Sequence, residues 1–377
     1  MDNANRADAD RPDNRSGSPL ADSIASPIAI TVAICTYNGA NRLPEVLDAL
    51  ERQQLPEALK PNLEETGPNW EVLVVDNNST DATRDVVAQY ATRWQLDRNL
   101  PSPRCIHEPR QGTTYARQRA FREARGTWVG ILDDDNIPPP TWLTAASSFI
   151  RQSERDRSHL GAFGGNIRPR LDAEPPAYFD RVAILLALYD RGDRAFQYRR
   201  DVAGRIVPAA PGSFVRRQAW FEAVPLDRLR LGGRDERGGT FIGACEDLEA
   251  LFYLQNSRWE IWHAPALWVE HHLPPRRLEP DYLAKVALTS GLSNHALRLA
   301  RLGIARRGEM RWRVGAYFLS DGWKLAVRLL RTHSQRHHPP IACDRAAHWG
   351  RWLSPLAFVL EKIRRWPTRI YVVVRRR

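Results

Sequence analysis

Cysteine is scarce in this 377-residue chain, and its four copies, Cys35, Cys105, Cys245 and Cys343, stand far apart with no CxxC pair. That spacing argues against a zinc site and a disulfide framework and fits a reducing, cytoplasmic compartment. Long apolar runs are missing too. A bilayer-crossing helix needs roughly 20 apolar residues, and the nearest stretch, Val314 to Leu330, is interrupted by Asp321, Lys324 and Arg328. The first 26 residues lack the basic-then-apolar order of a signal peptide; polar and rich in Asp, Asn, Arg and Ser, they are expected to form a disordered tail. Acidic residues fall short of basic ones, 44 against 55, leaving a formal net charge of +11. Nucleotide phosphates, nucleic acid and anionic lipid would each satisfy that charge.

What is present is enough for one large α/β domain plus an appendage, since 43% of the residues are apolar. Ile28 to Ile34 is a β-branched run ending in Cys35-Thr36-Tyr37-Asn38-Gly39, followed by Leu43, Val46, Leu47 and Leu50 at helical spacing. Trp70 to Val75 repeats the pattern and stops at Asp76-Asn77-Asn78-Ser79-Thr80-Asp81. A third helix, Thr113 to Ala124, leads to the run Trp128 to Leu132 and then to Asp133-Asp134-Asp135-Asn136. Strands alternating with helices predict a mostly parallel sheet, and ligands in such sheets sit beyond the carboxyl ends of the strands. One site at Thr36, Asp76 and Asp133 is the consequence. Residues 27–279 are expected to form the domain, in two halves, 27–137 with the regular strand-helix repeat and 138–279 with a less regular pattern; 280–377 is a basic, mainly helical appendage.

Each candidate has a functional and a structural meaning. Asp133 and Asp135 share one side of an extended chain and can hold a divalent cation, or the triplet is a solvated loop. Asp76 can meet a base or ribose, or cap a helix. Arg110 and Arg117 can pair with phosphate oxygens, or lie on a solvated helix face. Glu246 and Asp247, before the apolar helix Leu248 to Leu254, are ionised bases or helix caps. In Val269-Glu270-His271-His272 an imidazole can ligate metal or be structural.

In order, these pieces resemble the family 2 glycosyltransferases of GT-A fold. The segments that carry the resemblance are Thr31 to Asn38, Val74 to Asp81, Gly126 through Asp135 with Pro140-Thr141-Trp142-Leu143, and Cys245-Glu246-Asp247, spanning about residues 28 to 275. The resemblance implies that Thr36, Tyr37 and Asp76 contact the nucleoside, usually uridine, with Asn38 and Asp134 in the same nucleotide-sugar site, and that Arg117 lies near the diphosphate. It implies a DxD of Asp133 and Asp135 holding Mg2+ or Mn2+, with His271 completing the metal shell and His272 as fallback. It also implies that Asp247 is the base of an inverting transfer to a saccharide or lipid-linked saccharide acceptor. The run His271 to Leu278 is similar to a segment of cyanobacterial exopolysaccharide enzymes. Asn136 departs from the further acidic residue many relatives carry, which bears on metal affinity.

Two rivals remain open at this point. Val129 to Ile137 approaches the DxDx motif of aspartate-based phosphatases, though Ile137 stands where Thr or Val belongs and the motif follows two β-α units. The basic C-terminal region with Trp312, Trp323, Trp349, Trp352 and Trp366 could bind nucleic acid. A third partner for that region is an anionic membrane surface at the inner face of the plasma membrane. Leu319, Trp323, Ala326 and Leu330 fall on one helical face with Lys324, Arg328 and Arg331 off it, and Leu353, Leu356, Leu360 and Ile363 repeat the stripe.

Overall fold

The computed structural model describes residues 29–60, 69–96, 100–157, 159–199, 207–227, 229–231, 245–303 and 310–364. The expected tail at 1–26 lies outside them. The first β-branched run forms β1 (Ile30–Thr36), followed by α1 (Leu43–Glu51), β2 (Trp70–Asp76) and α2 (Thr83–Trp94). Then come β3 (Arg104–His107), α3 (Thr113–Glu123) and β4 (Trp128–Asp133). Every residue of β1 and β2 is buried, as expected of strands covered on both faces. β1 pairs in parallel with β2 and β4, and β2 with β3. The register sets Thr36 beside Asp76 and Cys35 beside Asp133, so the polar strand ends line one edge of the sheet.

The sheet continues through β5 (Asn136–Ile137), α4 (Trp142–Asp156), β6 (Leu160–Leu171), α5 (Phe179–Val182), β7 (Phe196–Gln197) and β8 (Phe214–Arg216). It ends with α6 (Arg217–Ala223), α7 (Glu246–Gln255) and β9 (Glu260–Leu273). Strand order is β3-β2-β1-β4-β8-β6-β9-β5, with β7 on β9. β6 and β9 are parallel, whereas β5, β7 and β8 run antiparallel to their neighbours. One core on the sheet gathers Trp142 and Phe214, ring centroids 4.6 Å apart. A second stacks Phe121 on Trp220 at 3.9 Å. Burying each such side chain is worth roughly 1.5–3 kcal/mol.

The last four helices are α8 (Pro280–Leu292), α9 (Asn294–Leu302), α10 (Met310–Arg331) and α11 (Pro339–Arg364). α8 and α11 pack backbone to backbone at Gly291 and Gly350, where an added Cβ would collide with the carbonyl oxygens of Ala347 and Leu288. Leu283, Ala287 and Cys343 of these helices share a small core with Val182, Leu186 and Leu273 of the sheet domain. The C-terminal region is therefore built onto the sheet domain. α10 turns Leu325 inward but leaves Leu319, Trp323 and Leu330 exposed at 74%, 73% and 80%. No helix among the described residues is long and apolar enough to cross a membrane.

Candidate active site

The loop after β1 is held from beneath by Asp134. Its carboxylate accepts Thr36 Oγ1 at 2.6 Å and both Nε and Nη2 of Arg42, at 2.9 and 2.8 Å. Arg42 Nη2 also donates to the Tyr37 carbonyl at 3.0 Å. A Cβ at position 39 would overlap Thr36 Oγ1, so only glycine permits this close packing. Asn38 takes a left-handed conformation at φ 48° and its Oδ1 accepts the Thr80 amide at 2.9 Å, tying this loop to the one after β2. Asp134 thus braces Thr36 and Tyr37, with both of its oxygens in use.

Asp76 is wholly buried, and its oxygens accept the Ser79 amide at 2.8 Å and Arg84 Nε. Burial opposes ionisation, but the bonds from Ser79 and Arg84 hold its pKa below the usual carboxylate value. These contacts brace the turn after β2, and Asp76 does not cap α2, whose N-cap residue is Ala82. Its neighbour Asn77 faces the cavity and grips the Gly112 amide at 2.7 Å through Oδ1. Arg110 is spent on Glu108, which it pairs with at 2.8 and 3.1 Å.

Arg117 is only 6% exposed, so it is no solvated face. Nη2 reaches Asp133 Oδ1 at 3.2 Å, while Nη1 reaches Glu246 Oε1 at 3.2 Å and Asp247 Oδ1 at 3.4 Å. Burial alone would lower the pKa of this guanidinium, but Asp247, Asp133 and Glu246 drive it upward, so it stays charged. Burial raises the pKa of Asp133, with Arg117 opposing and Asp135 adding to the shift. One cation therefore gathers carboxylates from β4 and from the first turn of α7. Glu249, three residues into that helix, is instead structural, accepting the Arg230 and Leu231 amides.

Asp135 meets β9. β5 pairs with β9 so that Asn136 lies opposite His271, and His272 donates its amide to the Asp135 carbonyl at 2.9 Å. His271 Nδ1 lies 2.9 Å from the Leu186 carbonyl, which can only accept, so Nδ1 carries the proton and Nε2 presents its lone pair. That nitrogen is 3.6 Å from Asp135 Oδ2, and Arg277 binds both, Nη1 to Nε2 and Nη2 to Oδ2, each at 2.6 Å. His272 points the other way, to Asp172 at 2.8 Å, as alternation along a strand requires. Asn136 Oδ1 accepts the Asp133 amide at 3.0 Å, giving the departure at this position a turn-holding task.

Among the described residues no group of three or more His, Cys, Asp or Glu side chains is gathered as a metal cage. The donor set still fits a divalent cation. Carboxylates at Asp133 and Asp135 and the Nε2 lone pair of His271 are the oxygen and nitrogen donors that Mn2+ or Mg2+ accepts.

These residues line a cavity of about 710 Å³. Its far wall comes from the C-terminal helices, including Ser290, Gly291, Asn294 and Arg351. Cys35 lies in it, but burial pushes its thiol up to about 12, so it offers no thiolate nucleophile near neutral pH. Arg42, Arg277 and the C-terminal wall were not assigned by motif. Arg277 stands in the basic run after His271, and its partner Asp135 is 142 residues away in the chain.

Residues 31–208 match the family model described as Glycosyl transferase family 2. The chain is 30% identical over 138 residues to glycosyltransferase AglE of Haloferax volcanii, covering 37% of this chain and 39% of that protein. It is 27% identical over 126 residues to the poly(ribitol-phosphate) beta-N-acetylglucosaminyltransferase TarS of Staphylococcus aureus, covering 33% and 19%. The chain thus spans 39% or less of the length of these two relatives. Among solved structures, the mannosyltransferase PcManGT from Pyrobaculum calidifontis, in complex with GDP-Man and Mn2+, superposes with a TM-score of 0.51 at 16% identity, over 90% of this chain and 88% of that one. That likeness establishes the GT-A fold.

Proposed function

We propose, for a chain whose residues 31–208 are a glycosyl transferase family 2 domain, that it moves a sugar from a nucleotide-sugar donor to an acceptor hydroxyl with inversion, in polysaccharide or glycoconjugate assembly. The family match weighs against the phosphatase alternative. The observation that carries the mechanism is the contact of Arg117 with Asp133 on one side and Glu246 and Asp247 on the other. It sets the donor carboxylates and the candidate base on one cavity wall.

In this reading Thr36, Tyr37 and Asn77 border the nucleoside, and Arg117 faces the diphosphate. Asp133, Asp135 and His271 would hold a divalent cation, Mn2+ or Mg2+, which as a Lewis acid stabilises charge on the departing diphosphate. Asp247 takes the acceptor proton as the hydroxyl attacks the anomeric carbon opposite the leaving group, a contribution typically of about 10² to 10⁴-fold. Cys35, kept as a thiol, is not a competing nucleophile. The experiment is a screen of nucleotide sugars with Mn2+ by thermal shift and product analysis. A donor at 100 times its dissociation constant should stabilise the chain by about 2.7 kcal/mol.

A specific observation favours peripheral attachment to an anionic membrane, where a lipid-linked acceptor would reside. The four residues of the first apolar stripe, Leu319, Trp323, Ala326 and Leu330, are all exposed, and Leu356 and Leu360 of the second are exposed at 56% and 43%. Lys324 and Arg331 flank the stripe and are exposed, whereas Arg328 pairs with Asp344. Each cation near such a surface contributes about 1 kcal/mol. Among the described tryptophans of this region, Trp352 packs on Trp349 at 5.6 Å and on Phe318 at 5.4 Å. The side chains of Lys362, Ile363 and Arg364, and all residues after Arg364, lie outside what the structure describes.

A further inference from the structure

We propose that Arg277 is a tethered cation that competes with a divalent metal for Asp135 and His271, and so sets the metal affinity of the site. The inference rests on the metal assignment above. Two donors bound to one small divalent cation at about 2.1 Å each can stand no more than about 4.2 Å apart. Asp135 Oδ2 and His271 Nε2, at 3.6 Å, meet that condition. The Arg277 guanidinium spans the same two atoms, with Nη1 and Nη2 each 2.6 Å from its partner.

The competition follows from lone-pair arithmetic. An imidazole whose Nδ1 bears hydrogen has a single lone pair, on Nε2. The Leu186 carbonyl fixes that tautomer, and Arg277 Nη1, which can only donate, uses the lone pair. A metal ion at Nε2 needs the same electrons, and a guanidinium beside it would add like-charge repulsion. Arg277 must therefore leave before a metal binds. It sits on the short turn Pro275–Leu278 with its side chain 19% exposed, next to exposed Arg276 on the cavity wall, so it has somewhere to go without unfolding a helix or strand.

The test measures Mn2+ affinity of the full chain by electron paramagnetic resonance of free Mn2+, with no nucleotide present. Arg277→Met keeps the stem but removes the donors, and should bind Mn2+ at least about fivefold more tightly than the parent, the low end of typical coupling between competing sites. Arg277→Lys, whose ammonium is a single point, should fall between them and serves if the Met variant does not fold. Asp135→Asn should lose Mn2+ in either background. Unchanged or weaker Mn2+ binding in both Arg277 variants, with Asp135→Asn still losing it, would overturn the competition and leave the metal site standing. No Mn2+ binding by the folded parent or the folded variants would overturn both.

Discussion

Arg117 Nη2 stands 3.2 Å from Asp133 Oδ1, a pair of a buried guanidinium with a half-buried carboxylate that fastens α3 to the end of β4. The same guanidinium serves Glu246 and Asp247, so its removal would strand three carboxylates. Breaking one side of a buried pair costs about 3–5 kcal/mol. Arg117→Met should therefore lower stability by that order in urea unfolding and abolish transfer. A variant of parental stability would show that the carboxylates do not depend on this cation.

Metal removal tests the donor side. EDTA should abolish transfer, and Asp135→Ala should match the chelated enzyme, because both remove the cation that offsets charge on the leaving diphosphate. Full activity in chelator would contradict the assignment.

The C-terminal helices offer a prediction about packing. Gly350→Leu would drive a side chain into the Leu288 carbonyl and part α8 from α11. Overpacking of this kind costs roughly 1–3 kcal/mol. Because the two helices also wall the cavity, thermal stability and acceptor KM should change together. A change in stability with unaltered KM would separate the helices from the acceptor.

Replacing Leu319, Trp323 and Leu330 together with Glu should abolish sedimentation with anionic vesicles while leaving transfer to a soluble acceptor intact. These side chains are exposed at 74%, 73% and 80% and support no core. Sedimentation equal to that of the parent would contradict the membrane assignment.

Strand ends were the most legible part of the fold. Apolar runs stopping at Thr36, Asp76 and Asp133 locate three strands because burial on both faces demands unbroken hydrophobicity there. β3 escaped notice because Arg104 to His107 is short and alternates half-buried with exposed positions. Asp133, Asp135, Asp247 and His271 were found by motif, but their company was not, since the Asn136–His271 register and the reach of Arg117 and Arg277 are long-range. Asp134 carries the same residue type as its neighbours, and Asp76 ends its strand just as Asp133 does. Only the arginines that claim them, Arg42 and Arg84, reveal that they brace the loops.

In the proposed reaction Asp247 removes the acceptor proton. Asp247→Asn keeps the shape and removes the basicity, and the most direct measurement is its turnover alongside donor and Mn2+ affinity. Parental affinities, a loss of at least about 10²-fold in kcat, and inverted anomeric configuration in the parent's product are expected. Near-parental kcat in Asp247→Asn, or a retained anomer from the parent, would contradict it.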